Sequence, residues 1–515
     1  QLAKEFNESQ SDYKITPVFK GTYPETLNAG IAAFRSKQPP AIIQVFDAGS
    51  GVMMGAEGAI VPVAEVLQKG GFEFNKSDYL AGIVAYYSKP DGTMLSFPYN
   101  SSSPVLYYNK DAFTKAGLDT ENPPKTWPEV FEAARKIKDS GAAPCGLTST
   151  WLTWIQTENF AAWNNVSYGT NENGLAGGTV ELKVNSDLYV QHFQSIADLA
   201  KDGAFRYGGR TSEAKQLFLS GECAIMTESS GGLGDIVKSG MNYGIGQLPY
   251  YEGNGPQNTI PGGASLWVFG GKSDEEYKGI AQFFNFLSQT EIQARLHQVS
   301  GYLPVTNAAY EATKASGFYE KNPARETPIL QMTGKAPTEN SKGVRLPNLP
   351  QVRDIMNEEF EAMLSGSQDA KTTLDRIVEQ TTEVPGTVTH LSVAVLVDES
   401  ALTQEQANAV EAMVSDAVGL DPNRNDTISV TRLPFDTSGT TAADEAAKTE
   451  AAAASKAQML DMARTIAVLV VILVALFLGY RSAKNARKVT VTPIDIGEIT
   501  TGPRGAITAG GLDDD

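Results

Sequence analysis

Histidine and cysteine are scarce in this 515-residue chain, which holds only three of the first and two of the second. His192, His297 and His390 are scattered, and none has a metal-ligating partner at helical spacing, so a histidine-based metal centre or a histidine general base finds no support. Cys145 and Cys223 leave two readings open: one disulfide in an oxidising compartment, or two separate buried thiols. A nucleophile elbow of the Gly-x-Ser-x-Gly kind is missing. Gly244-Ile245-Gly246 lacks the third glycine of a dinucleotide loop, and Gly271-Lys272-Ser273 ends like a phosphate loop but has Leu266 where the first glycine belongs. With no site constellation, the chain reads as a non-enzyme without metal or cofactor.

Aromatic residues are almost missing from the last quarter. Of 21 Phe, 19 Tyr and 5 Trp, only Phe435, Phe477 and Tyr480 lie beyond residue 380, so two differently built pieces share one chain. Positive charge is also in short supply. The net charge is −18; residues 381–515 carry 10 basic and 18 acidic side chains, which is −8, and leave −10 on the first piece. No basic stripe interrupts that acidity, which argues against nucleic-acid binding.

What is present in residues 1–380 is an alternation of short apolar runs and amphipathic helices, the pattern of an α/β fold. Residues 41–46 and 104–108 read as strands, rich in β-branched and aromatic residues. Thr126-Trp127-Pro128-Glu129 is a capping box with Pro in the first turn. It opens a helix that places Val130, Ala134 and Ile137 on one face, and Gly141 stops it. At this size about two lobes are expected. Small polar residues collect at strand ends, in Asn100-Ser101-Ser102-Ser103, Ser229-Ser230-Gly231-Gly232 and Gly262-Gly263-Ala264-Ser265. Their hydroxyls and backbone N–H groups are suited to surround an anion or a polyol without reacting with it.

Ordered matches carry a resemblance across residues 1–380. They include Phe19-Lys20-Gly21-Thr22-Tyr23, Pro104-Val105-Leu106-Tyr107-Tyr108-Asn109-Lys110, Pro123-Pro124-Lys125-Thr126-Trp127, residues 262–268, Ser300-Gly301-Tyr302-Leu303-Pro304 and Arg345-Leu346 through Arg353. This segment resembles the sugar-type solute-binding proteins of ABC importers, and among them the periplasmic glycerol-3-phosphate binders. The resemblance implies a two-lobed, type II periplasmic binding protein fold that closes on a small phosphate ester and delivers it to importer membrane subunits. Lobe one is expected at about 1–107 and 258–301, lobe two at about 108–257 and 302–380.

The resemblance also implies ligand contacts at Tyr23, Asp47, Ser102, Trp127, Ser229, Gly263, Tyr302 and Arg353. Arg353 would grip phosphate oxygens, with Ser102, Ser229 and the Gly263 backbone N–H as neutral donors. Asp47 would accept from glycerol hydroxyls, and Tyr23, Trp127 and Tyr302 would wall the pocket. Two departures stand out. The family has glutamate where Asp47 lies, and it begins with a strand ahead of the first helix. This chain opens with Gln1 inside an apparent helix and shows no signal peptide, so its true beginning is expected to be missing, with unpaired backbone and exposed core left behind.

The second piece reads as a βαβ unit over 381–436. Residues 391–398 and 427–435 form strands, and Thr403 caps a helix carrying Val410, Met413, Ala417 and Val418 that Gly419 stops. Residues 437–463 are a linker or an exposed helix. Residues 465–480 are 16 uncharged, mostly apolar positions. At 1.5 Å each they span about 24 Å, and Arg464 can snorkel to complete a membrane helix over 464–481, a buried helix being the alternative. Arg481, Lys484, Arg487 and Lys488 follow. The positive-inside rule therefore puts a cytoplasmic tail at 482–515 and the body outside the cytoplasm, anchored to the inner membrane. Pro385-Gly386-Thr387-Val388, residues 391–398, Leu402-Thr403 and Leu433-Pro434-Phe435 resemble the region of flagellar MS-ring proteins before their second membrane helix, which implies a ring oligomer. The simplest explanation of the two resemblances is a chimera, a junction of two unrelated sequences near residue 380, with a genuine membrane-tethered binding protein as the alternative. In function the chain reads as a solute-binding protein, the competing reading being a ring subunit whose N-terminal part is foreign.

Overall fold

The computed structural model describes residues 1–56, 58–382, 392–398, 403–418 and 427–433. The chain divides into two compact units, Gln1–Gly386 and Thr387–Asp515. Strands in chain order are β1 (Ile42–Phe46), β2 (Ile60–Val61), β3 (Phe97–Ser102), β4 (Pro104–Asn109), β5 (Cys145–Ser149), β6 (Cys223–Ser229), β7 (Tyr243–Gly246), β8 (Gly262–Phe269), β9 (Ser392–Asp398) and β10 (Thr427–Leu433).

The first unit is α/β with two sheets. In one, β8 pairs antiparallel with β1, β2 and β3. The other has the order β5-β6-β4-β7, in which β5 runs parallel to β6 while β4 is antiparallel to both its neighbours. Chain passes from the first sheet to the second at Ser103, between β3 and β4, a few residues ahead of the expected crossing at 107. Pro104 suits the switch: it has no N–H to place in a ladder, and it opens the new strand opposite Ser229. Ser103 is then stitched to the returning chain, its Oγ 2.7 Å from Thr259 Oγ1 and accepting from Gln331 Nε2 at 2.7 Å.

Local signals explain the elements around these sheets. Thr126 and Glu129 form the anticipated reciprocal cap, the Thr126 N–H donating to Glu129 at 2.9 Å, and the helix Trp127–Asp139 buries Val130, Ala134 and Ile137. Ser273, the end of the false phosphate loop, caps the helix Asp274–Leu287 instead. Cys145 and Cys223 lie opposite each other on β5 and β6 and are joined as a disulfide with Cα atoms 4.5 Å apart. The first histidines are core groups: His192 bonds Gln156 at 2.9 Å, and His297 bonds the Tyr302 carbonyl at 2.7 Å and Tyr319 at 2.8 Å. Through His297, residues 302–319 fasten onto the helix Thr290–Ser300, and Thr306 forms a bridge to Tyr79. The start of the expected 302–380 segment therefore packs with lobe-one elements.

Leu2–Ser9 is the expected first helix, and its buried Phe6 packs on Phe283 and Phe286 at 5.2 and 5.7 Å. Residues 14–20 belong to no helix or strand, and Val18 and Phe19 are 68% and 90% exposed. Among the described residues β1 pairs only with β8, so its other edge carries no ladder.

The second unit contains β9 and β10 paired in parallel, with the helix Gln404–Val418 between them, as the βαβ expectation has it. Thr403 caps that helix through Gln406, whose N–H donates to its Oγ1 at 3.3 Å. The packed stripe differs from expectation: Ala407 is buried, whereas Met413 is 65% exposed. Positions 407, 410 and 414 share one helical face, and 413 lies about 120° from 407. Gly419, Phe435, His390, the 437–463 segment, the 464–481 apolar run and the 482–515 tail fall outside the described residues. Among those described, no helix is long and apolar enough to cross a membrane.

Candidate functional site

The ends of strands from both sheets converge on one cavity of about 180 Å³. Ser102 comes from the end of β3, Ser229 from the end of β6, Gly263 from β8, and Asp47 from the turn that follows β1. Strand ends at a change of sheet are the usual place for a ligand in α/β proteins. Seven of the eight residues expected from the sequence line this cavity: Tyr23, Asp47, Ser102, Ser229, Gly263, Tyr302 and Arg353. Trp127 does not. It is fully buried in the helix Trp127–Asp139, its ring 5.6 Å from Phe131 and 4.6 Å from His192. As the first helical residue after the Thr126 cap, its side chain is turned into the core of the second-sheet lobe, away from the cavity.

Sequence reasoning missed Trp151, Trp154, Ser212, Lys215, Glu228, Gly231 and Gly232, which complete the lining. A signal for the tryptophans existed in Ser149-Thr150-Trp151-Leu152-Thr153-Trp154, two large aromatics directly after a strand end. Residues Trp154–Asn159 form a π-helix, a geometry frequent at functional sites. It points Trp154 into the cavity and carries Glu158 behind it.

The lining contains two chemically different groups of side chains. In one, Arg353 from the helix Leu349–Leu364 is held between the carboxylates of Asp47 and Glu158. Its Nε donates to Glu158 at 2.7 Å, and its Nη2 donates to Glu158 at 2.9 Å and to Asp47. All three side chains are at most 8% exposed. Burial pushes the Asp47 and Glu158 carboxyls up, and the Arg353 charge pulls both back. The fork expected to hold phosphate is therefore occupied by two protein carboxylates, and Asp47, expected to be free for hydroxyls, is one of them. Tyr23 is stacked on Phe46 at 5.7 Å, with its hydroxyl accepting from Asn100 at 3.0 Å and close to that of Tyr302.

The other group is Ser102, Ser229, Tyr302, Lys215 and Glu228. Ser229 caps the turn Ser230–Gly232, its Oγ accepting from the Gly231 N–H at 3.1 Å. Gly231 permits the ring of Tyr302 to lie against the backbone, since a Cβ there would sit 2.5 Å from it. Gly263 adopts φ +83 and would place a Cβ 1.9 Å from the Asn100 carbonyl, which explains its residue type. Three buried polar atoms of the lining have no hydrogen-bond partner: Ser102 Oγ, Trp154 Nε1 and Glu228 Oε2. Buried polar groups are rarely left unpaired, so three such atoms on residues lining one cavity point to a site for a polar ligand. Among the described residues no group of His, Cys, Asp and Glu is arranged to hold a metal.

Comparison with known proteins agrees with this geometry. Residues 1–327 match the family model described as "Bacterial extracellular solute-binding protein", and residues 308–435 match "Flagellar M-ring protein C-terminal". Over 380 residues the chain is 86% identical to the sn-glycerol-3-phosphate-binding periplasmic protein UgpB of Rhizobium meliloti, covering 74% of this chain and 88% of that protein. The protein of the same description from Yersinia enterocolitica is 47% identical over 383 residues, covering 74% and 87%. In three dimensions the chain is similar to UgpB of Mycobacterium tuberculosis in complex with glycerophosphocholine, with a TM-score of 0.63 at 20% identity, covering 74% of this chain and 92% of that one. Maltose-bound MalE3 of T. maritima gives 0.60 at 17% identity, covering 74% and 94%. The fold of residues 1–380 is thus that of two-lobed periplasmic binding proteins, and the chain belongs to the bacterial extracellular solute-binding proteins.

Proposed function

We propose that the chain is the extracytoplasmic substrate-binding component of an ABC importer for sn-glycerol-3-phosphate or a related glycerophosphodiester, acting by lobe closure without catalysis. The observation that carries this reading is the meeting of seven expected residues at one cavity with unpaired donors, in a chain 86% identical to a glycerol-3-phosphate binder. The two groups of side chains sort the two parts of the ligand. Phosphate belongs with Ser102, Ser229, Tyr302, the Gly263 backbone and the Lys215 ammonium, a set of neutral donors with one cation. The glycerol hydroxyls belong at the Asp47–Arg353–Glu158 cluster, where two carboxylates paired to one guanidinium still offer lone pairs, and whose surplus of one negative charge keeps the phosphate away. Trp151, Trp154 and Tyr23 wall the space between and exclude water. Because Arg353 joins Asp47 and Glu158 from opposite lobes, the same cluster holds the closed arrangement together.

Equilibrium dialysis of the purified chain with radiolabelled sn-glycerol-3-phosphate tests the reading. Saturable binding displaced by glycerophosphodiesters and not by maltose is expected, and absence of binding by folded protein would refute it.

A second role rests on a separate observation, the match of residues 308–435 to the flagellar ring family together with the β9–β10 unit. In that reading the apolar run 464–481 anchors the chain in the inner membrane and the C-terminal part assembles into rings. Detergent-solubilised chain examined by electron microscopy would show rings in that case and dispersed particles otherwise.

A further inference from the structure

Glu228, next to last in β6, is the one carboxyl lining the cavity that no guanidinium or ammonium holds in an ion pair among the described residues. It is 2% exposed. Its Oε1 accepts from the Ser229 N–H at 2.7 Å, and its Oε2 has no partner. Gly232 leaves room for its stem, since an added Cβ there would lie 2.8 Å from Glu228 Cγ.

The charged and titratable groups facing it are few. Lys215, on the helix Lys215–Leu219, draws its pKa down but is itself paired with Asp235 of the helix Leu233–Lys238, and Asp235 pushes it up. From β4, Tyr107 approaches with a hydroxyl that donates to the Ser230 carbonyl at 3.2 Å. After β5, the Thr150 hydroxyl lies 3.4 Å from the Thr227 carbonyl and also hydrogen-bonds the Glu228 carboxyl, which draws its pKa down. None of these gives Oε2 a cation of its own, and burial raises the carboxyl to about 7.

An anionic phosphoryl group placed among Lys215, Ser229 and Gly231 adjoins this oxygen. An ionised Glu228 would repel it, whereas a protonated one supplies a donor and pairs the orphan atom. Resting on the phosphate-ester reading above, we propose that Glu228 enters the complex as a neutral acid whose Oε2–H donates to a phosphoryl oxygen, so that ligand binding takes up a proton from solution.

The test is calorimetric titration of the full chain with sn-glycero-3-phosphocholine at pH 6, 7 and 8, in buffers of differing ionisation enthalpy. The diester phosphate does not titrate in this range, unlike the monoester with its second pKa of about 6. With the free carboxyl near 7 and the bound one protonated, Kd rises about tenfold from pH 6 to pH 8, with about half a proton taken up per ligand at pH 7. Glu228→Gln, whose amide donates without titrating, loses the slope, and Glu228→Leu binds roughly tenfold more weakly at pH 6. A flat Kd in the wild-type chain overturns the proposal, as does a slope that survives in Glu228→Gln, which would belong to Asp47 or Glu158. Tighter binding at higher pH, lost in Glu228→Gln, would make Glu228 a carboxylate acceptor for a hydroxyl. If folded wild-type chain binds neither the diester nor glycerol-3-phosphate at any pH, the phosphate-ester reading itself falls.

Discussion

Arg353 is the side chain whose removal the structure constrains most tightly. Arg353→Met keeps the length and packing of the stem and deletes three charge-assisted hydrogen bonds, two to Glu158 and one to Asp47. It leaves two carboxyls, 0% and 7% exposed, facing each other without a cation. Breaking a buried ion cluster by removing one partner costs about 3–5 kcal/mol, because the remaining charges stay desolvated. The carboxyls escape part of that cost by protonating, so the loss of stability should be largest at pH 8 and shrink towards pH 5. Urea unfolding of wild-type and Arg353→Met chains at the two pH values measures it. Adding Asp47→Asn and Glu158→Gln to the same chain should recover more than half of the loss, since the buried charges are then gone. A loss below about 1 kcal/mol at pH 8, or no recovery in the triple variant, would refute the account of this cluster as a charge-paired clamp between lobes.

Trp127→Ala should cost about 3–5 kcal/mol in urea unfolding as a core deletion, with the Kd of the still-folded fraction unchanged, because Trp127 packs on Phe131 and His192 and does not reach the cavity. Reducing the Cys145–Cys223 bridge, which spans 78 positions of sequence, should lower stability by about 2–5 kcal/mol, read as a drop in melting temperature with dithiothreitol. Burial raises Glu228 to about 7 in the folded chain from an ordinary 4.5 in the unfolded one, so the folded state holds the extra proton between those values. Stability of the unliganded chain should therefore fall as pH rises through that window, by about 3 kcal/mol, and Glu228→Gln should flatten that slope in pH-dependent melts.

How much was legible in the sequence follows from where each signal lives. Caps and strand runs are local, and Thr126, Glu129 and the run at 41–46 gave their elements directly. Most of the cavity was legible because the resemblance carried Tyr23, Asp47, Ser102, Ser229, Gly263, Tyr302 and Arg353 position by position. Their pairings were not legible. Nothing in the neighbourhood of Asp47 announces that Arg353, 306 positions away, will occupy it, or that Glu158 will share the same guanidinium. Trp127 misled because an aromatic at a helix start reads alike whether it faces a cleft or a core; only packing on His192 and Phe131 decides. Glu228 was passed over for the serine beside it, because burial gives a carboxyl its unusual chemistry and burial cannot be read from one strand.

The most direct test of the account is titration of the purified full chain with sn-glycerol-3-phosphate by calorimetry, alongside a Ser102→Ala, Trp154→Phe variant that removes two of the three unpaired polar atoms of the cavity. The account predicts one saturable site per chain in the wild type and binding weaker by at least tenfold in the variant, with the variant's melting temperature preserved in the absence of ligand. Equal affinity in the two proteins, or no heat of binding in folded wild-type chain, would contradict it.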